Sequence, residues 1–130
     1  MVTFRSKRFP PYDGEEEEIN PGLWGKRLAE YLVQKLAAQG ISTGKIAGED
    51  WGWFIPIEND AFALALCCGH QGGDDDEFLC FIKPDKPVVR RWFRKIETSR
   101  DVGRLADALD RILTSDPEIT EAKWEAAEEQ

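Results

Sequence analysis

Alternating apolar and polar positions predict several short strands. Val2 and Phe4 alternate with polar residues at the start of the chain, the pattern of a half-exposed strand at a sheet edge. Segments 51–57 and 61–68 alternate as well, but both faces of 51–57 are apolar, which indicates an internal strand. The stretch 78–83 follows a glycine-rich and acidic loop, so 61–83 is predicted to form an antiparallel hairpin.

Three other segments have apolar residues at helical spacing. The first predicted helix begins at Asn20, which is expected to cap it, and ends at Gly40. Residues 87–96 are predicted to form a short amphipathic helix with a basic face. A third helix is expected to follow directly and to stop before Pro117.

The last segment, 118–129, has the composition of a helix but alternates like an edge strand, and we expect a strand that frays after Trp124. The resulting order, β-α-β-β-β-α-α-β, predicts an α+β fold in which a single mainly antiparallel sheet has its helices packed on one face. No repeat or linker divides the sequence, so residues 1–130 are expected to form one globular domain. The four glutamates that follow two prolines predict a mobile acidic loop at 10–18.

The composition indicates a reducing compartment. The chain of 130 residues is 42% hydrophobic, which is enough for one core without disulfides. It has three cysteines, an odd number, and two of them are adjacent, which disfavours a disulfide framework. The N-terminus leads into prolines and acids, and no apolar stretch is long enough to span a bilayer. We therefore expect a soluble cytoplasmic protein with no membrane contact.

The charge distribution favours some partners over others. A net charge of −8 argues against nucleic acid as a partner and favours a protein with a basic surface. Locally, however, the stretch 83–104 has eight basic residues against three acidic ones. The basic helix 87–96 is therefore a second candidate surface, although its charges could simply offset the acidic segments of the same molecule.

The string "GEDWGW" is the first candidate site. Trp51 and Trp53 are expected on one strand face, where they could form an aromatic platform, with Glu49 and Asp50 at the entrance of the strand. Strand geometry directs Asp50 to the opposite face, so a joint site requires an irregular backbone. The alternative that we favour is a pair of core tryptophans with acids at the surface, in which case function would reside in Glu49 and Asp50.

The stretch "CCGHQGGDDDE" contains the second group of candidates. His70, the only histidine, is expected in a loop, where a carboxylate could orient it as a general acid or base; a locally hydrogen-bonded histidine is the favoured alternative. Asp74, Asp75 and Asp76 could bind a divalent cation but lack the spacing of an EF-hand, which favours a solvated loop. The cysteine spacing does not fit a zinc site, and we expect buried free thiols, no metal and no cofactor.

Two hypotheses of function follow. The first is a non-catalytic binding protein that neutralises or regulates a protein partner with a basic surface. The candidate binding residues are Glu49, Asp50, Trp51, Trp53, His70, Asp74, Asp75 and Asp76. The alternative is a small enzyme or ligand carrier whose pocket uses Asp50, His70 and Trp51 or Trp53. We lean towards a protein without catalysis, because no phosphate-binding loop, dinucleotide fingerprint or hydrolase motif is present.

Overall fold

The computed structural model describes residues 1–15, 23–58, 64–70, 76–84 and 92–125, with the backbone alone at 84 and 92–100. In this part of the chain there are six strands and two helices. In chain order they are β1 (Val2–Ser6), α1 (Lys26–Ala38), β2 (Ala47–Glu49), β3 (Gly52–Ile57), β4 (Leu64–His70), β5 (Glu77–Pro84), α2 (Trp92–Ser115) and β6 (Ile119–Trp124).

The six strands form one antiparallel sheet in the order β2-β3-β4-β5-β1-β6. The predicted α+β class and the predicted order of strands and helices are confirmed, and β2 is a short addition to that order. The predicted hairpin is the pair β4 and β5, in which Cys68 lies opposite Cys80. The prediction that β1 lies at a sheet edge is wrong, because β6 returns from α2 and pairs with its outer side.

The helices cover one face of the sheet. Ile55 of β3 and Leu66 of β4 are fully buried on this face, in one cluster with the apolar sides of both helices. The helical members of that cluster include Leu28, Leu32 and Leu36 of α1 and Leu105, Leu109 and Leu113 of α2. Burial of each such side chain contributes about 1.5–3 kcal/mol, so the packing of helices on this face is the main source of stability.

Both helices differ in detail from their predictions. Helix α1 begins at Lys26 with Gly25 as its N-cap, so the predicted start at Asn20 is wrong, and Asn20 itself lies outside the described residues. The two helices predicted after residue 87 are one continuous helix from Trp92 to Ser115, and residues 87–91 of the basic segment lie outside the described part. Thr98 and Ser99 lie within this helix, where threonine and serine are only weakly unfavourable.

The C-terminal segment forms the predicted edge strand, β6, up to Trp124, and residues 126–130 lie outside the described part.

Neither helix in the described part of the chain combines the length and the apolar character that a membrane span requires.

Candidate functional site

The face of the sheet opposite the helices, which we call the open face, has an apolar centre. Phe54, Cys67 and Phe81 lie side by side on β3, β4 and β5, directly paired across the strands. Pro56 and Leu79 extend this centre on the neighbouring register positions. The two phenylalanines are half-buried, whereas the small Cys67 between them is buried. Neither helix packs on this face in the described part of the chain, so part of its aromatic surface is accessible.

Trp51 extends the aromatic surface of the open face. It lies in the turn between β2 and β3, and 38% of its surface is exposed. Its ring centroid is 5.9 Å from that of Phe81, with 49° between the ring planes. Because Phe81 is on β5, the ring of Trp51 must lie across β3 and β4, where Gly52 and Gly69 have no side chains to obstruct it.

Two acidic residues directly precede this tryptophan in the sequence. Glu49 is paired with Gly52 in the β2–β3 ladder, which places its side chain on the open face, and Asp50 follows in the turn. Glu49, Asp50 and Trp51 are all exposed. We call these three residues the acidic corner. The irregular backbone that a joint site requires is therefore present. It groups the two acids with Trp51 and leaves Trp53 on the other face of the sheet.

Gly52 fixes the shape of the acidic corner. Its φ is +153°, and a Cβ atom at this position would lie 2.7 Å from the carbonyl oxygen of Cys68. A second close approach lies beneath it, because a Cβ atom on Gly25 would be 2.9 Å from the Cα atom of Gly69. Side chains at Gly52 and Gly25 would therefore separate the turn and the start of α1 from β4.

Trp53 faces the other side of the sheet, so the prediction that it shares a strand face with Trp51 is wrong. It is buried, and its Nε1–H donates a 2.8 Å hydrogen bond to Oε2 of Glu15. The same oxygen accepts hydrogen bonds from the backbone N–H groups of Gly25, at 2.7 Å, and Lys26, at 2.8 Å. Oε1 accepts a further one from Tyr12, at 3.0 Å. Trp53 is thus part of the interior, as our favoured alternative proposed, but the same alternative is wrong for Trp51, which is exposed because it lies in a turn.

Glu15 is the structural residue that sequence reasoning missed. It was expected in a solvated loop, but it is only 3% exposed and satisfies two free amides at the start of α1. A carboxylate is also favourable at this end of the helix dipole. No local signal separates Glu15 from the three glutamates that follow it, since only the tertiary fold selects one of them.

His70 is the last residue of β4, and the prediction that it lies in a loop is wrong. It is 2% exposed on the helix-covered face. Its ring stacks on that of Trp24, with 3.8 Å between centroids and 10° between planes, and meets the edge of Phe78 at 5.7 Å. Its backbone N–H donates a 2.6 Å hydrogen bond to the carbonyl of Trp24. This is the environment of a packed core side chain rather than that of a general acid or base at a substrate pocket.

The aspartate loop is described only at its last residue. Oδ1 of Asp76 accepts a 2.8 Å hydrogen bond from Arg5, which also contacts Glu77 at 3.1 Å. Asp74 and Asp75 lie outside the described residues. Among those that are described, no three histidine, cysteine or acidic residues come close enough together to hold a metal ion.

The cysteines are free and buried, as predicted. Burial is the main cause that raises the pKa of Cys67 to about 12. The pKa of Cys68 is also raised, first by a hydrogen bond with Cys80 and then by burial. The thiols of Cys67 and Cys68 are therefore protonated at neutral pH, so neither is an activated nucleophile.

A cleft of about 380 Å³ lies at the far end of β3, away from the acidic corner. It is lined by apolar and polar residues, of which Glu58, Asp101 and Arg104 are charged. The remaining lining residues are Gly40, Ile41, Ser42, Ile57, Leu64 and Leu105. None of the predicted site residues that the structure describes lines this cleft.

Comparisons of the chain with protein-family models, with curated proteins and with solved structures found no match. Function must therefore be inferred from the geometry of this molecule.

Proposed function

We propose that this chain is a non-catalytic binding protein that recognises a basic surface of a protein partner through the acidic corner and the open face. The observation that carries the proposal is the exposed indole of Trp51, between two exposed acids and the apolar centre of the open face. Aromatic residues that become buried at the centre of an interface, with polar residues around them, supply much of the affinity of protein complexes.

Both edges of the sheet are poorly suited to the addition of another strand, which supports contact through a face. β2 has only three residues, and a short edge strand offers few backbone groups to another chain. At the other edge, the pairing of β1 and β6 shifts register, and Glu121 of β6 has a φ of +57°. Bulges and charged side chains discourage strand addition, and this edge has both. A partner is therefore more readily accommodated on the open face than at either edge.

The overall charge supports a basic partner. A net charge of −8 attracts a positive surface at long range, which speeds association. Glu49 and Asp50 place part of this charge next to the aromatic surface. Recognition should consequently weaken as salt is added, since salt screens exposed charges.

Contact through Trp51 is tested by capturing partners from source-cell lysate with the tagged protein as bait. Trp124 supplies a matched control, because it is also 38% exposed but lies on β6 at the opposite edge of the sheet. We expect a stoichiometric partner to be retained by the wild type and by Trp124→Ala. Trp51→Ala should weaken its binding about 30-fold, the effect of losing about 2 kcal/mol at an interface hot spot.

The charge contribution is tested with the captured partner. Reversing both acids, with Glu49→Lys and Asp50→Lys together, should slow association about tenfold at low salt. Glu118→Lys, at an exposed position before β6, should change the rate less. Equal binding by the Trp51→Ala and Trp124→Ala variants, or no partner at all, would overturn the proposal.

The alternative is a small enzyme or ligand carrier. The candidate pocket for it differs from the pocket that the sequence predicted. Trp53 and His70 are buried among core residues, so they do not line an open pocket with Asp50. The observation that favours a ligand carrier is the cleft beside Arg104, whose volume is within the range of small-molecule sites. In that case a small-molecule screen should yield a ligand whose binding is weakened by Arg104→Ala and unaffected by Trp51→Ala.

A further inference from the structure

The indole of Trp51 is a partly exposed platform that is already held in position. Its contact with Phe81 restricts the ring, while 38% of the residue remains accessible. A ring that is ordered before binding loses little conformational freedom when a partner stacks on it. Trp51 can therefore receive a flat or cationic group without rearrangement of the sheet.

The carboxylate of Glu49 lies on the same face as this ring. Its pairing with Gly52 places it there, and its negative charge contributes, after burial and Cys68, to the raised pKa of Cys67 at the centre of the open face. Within the described residues, the structure gives Glu49 no ion-pair partner. An exposed aromatic ring and an exposed carboxylate, two residues apart in the sequence, are thus on the same face of the sheet.

Elsewhere in this molecule, arginine completes the same combination of ring and carboxylate. The guanidinium of Arg8 lies 5.2 Å from the ring centroid of Tyr31 and 2.7 Å from Asp116, which also accepts a hydrogen bond from the hydroxyl of Tyr31. Arg8, Tyr31 and Asp116 thus connect the segment after β1, helix α1 and the loop between α2 and β6. It shows the geometry in which one arginine satisfies a ring and an acid together.

A partial parallel joins Tyr12 to α1, where the arginine contacts the ring and donates to the carbonyl of Pro10 while the carboxylate binds the ring's hydroxyl. The guanidinium of Arg27 stacks 3.9 Å from the ring centroid of Tyr12, whose hydroxyl donates a 2.6 Å hydrogen bond to Glu30. A third ring, that of Trp53, has the ammonium of Lys26 at 5.5 Å and donates to the carboxylate of Glu15. Among the described residues, the ring of Trp51 shares its face of the sheet with the carboxylate of Glu49 and has no cation of the chain stacked on it.

We infer that the partner supplies this cation as an arginine side chain, with its guanidinium stacked on Trp51 and paired with Glu49. This inference rests on the proposed function and names the anchor of the partner. Arginine fits better than lysine because its planar guanidinium stacks on an aromatic ring and donates two parallel hydrogen bonds to one carboxylate. An ammonium group provides the charge but not this geometry.

The inference is tested with three short peptides, acetyl-Gly-X-Gly-amide, in which X is arginine, lysine or citrulline. Citrulline has nearly the same shape as arginine but no charge. The readout is the NMR signal of the indole N–H of Trp51, identified among the five tryptophans by its loss in Trp51→Phe. We expect the arginine peptide to shift this signal with a dissociation constant in the millimolar range. The lysine peptide should bind several-fold more weakly, and citrulline should cause no shift.

The carboxylate is tested by Glu49→Gln, which should weaken arginine binding at least fivefold, with Glu118→Gln as a control that leaves it unchanged. Equal shifts with arginine and citrulline, or no effect of Glu49→Gln, would refute the arginine anchor. If the arginine peptide fails to bind but partner capture still depends on Trp51, only the anchor is wrong. If capture does not depend on Trp51 either, the proposed function fails with it.

Discussion

Both faces of the sheet have apolar residues, but these have different roles. Ile55 and Phe54 are neighbours on β3, yet Ile55 is fully buried beneath the helices while Phe54 is only half-buried on the open face. The same division separates Trp53 from Trp51. Apolar residues on one face therefore stabilise the fold, whereas those on the other remain partly accessible to a partner. An apolar position in an internal strand is therefore not enough to indicate that a residue lies in the core.

The largest expected effect is a loss of folding stability when the buried carboxylate of Glu15, on the helix-covered side, is removed. Glu15→Ala leaves the N–H groups of Gly25, Lys26 and Trp53 without their acceptor, and each unsatisfied buried donor costs about 1–3 kcal/mol. We expect the free energy of unfolding to fall by about 3–5 kcal/mol, allowing for partial access of water. Urea denaturation followed by circular dichroism measures this change.

Glu49→Ala is the matched control on the open face, where we expect a change of less than about 0.5 kcal/mol. Equal losses of stability in the Glu15 and Glu49 variants would contradict the difference between the faces.

A smaller effect is expected from truncating the two neighbouring residues of β3. Ile55→Ala creates a cavity in a closely packed region and should cost about 3–4 kcal/mol. Phe54→Ala removes a half-buried ring and should cost about 1–2 kcal/mol, although it deletes more atoms. Both values are obtained from the midpoints of urea unfolding curves. A larger loss for Phe54→Ala would mean that the open face is covered in solution.

The smallest of these effects is pH-dependent. On the helix-covered side, burial of Asp116 acts to raise its pKa. The hydrogen bond from Tyr31, a backbone hydrogen bond and the charge of Arg8 outweigh that burial and lower the pKa. A group whose pKa is lowered by folding stabilises the native state above its unfolded pKa, and this contribution is lost as pH falls through the folded pKa. Asp116→Asn should therefore cost about 1–2 kcal/mol at pH 7.

This cost should begin to shrink as the pH falls below the unfolded-state pKa of about 4, and it should shrink further as the pH falls towards the lower pKa of the folded state. Thermal unfolding of both proteins between pH 7 and pH 3 measures the difference. A difference that stayed constant over this range would show that Asp116 contributes through packing rather than through its charge.

The acidic corner shows how far a sequence can locate a site. The residue types of "GEDWGW" identified the correct segment, but strict alternation placed Trp51 and Trp53 on one face. The turn at residues 50 and 51 interrupts that alternation, since the strand begins only at Gly52. A short ladder between β2 and β3 decides where the turn lies, and its three residues have no hydrophobic pattern of their own.

His70 and Glu15 show the opposite error. Both are polar residues of the kind found in functional sites, yet both are buried in the interior. Histidine beside glycines and aspartates resembles a loop residue, yet β4 continues to His70 because Phe78 pairs with it on β5. Glutamate within an acidic run resembles a solvated residue, yet the start of α1 and the indole of Trp53 provide donors for its carboxylate. These partners lie 8, 11 and 38 residues away along the chain, beyond the reach of a local residue pattern.

By itself, the sequence determined the fold class, the order of strands and helices and the buried state of the cysteines, because these follow from hydrophobic periodicity and local chain geometry. It also identified Glu49 and Asp50 as surface acids. The exposure of Trp51, the burial of Trp53, the stacking of His70 in the core and the capping of α1 by Glu15 became clear from the folded molecule alone. These outcomes depend on strand register and on contacts between distant segments, which residue-by-residue preferences do not specify.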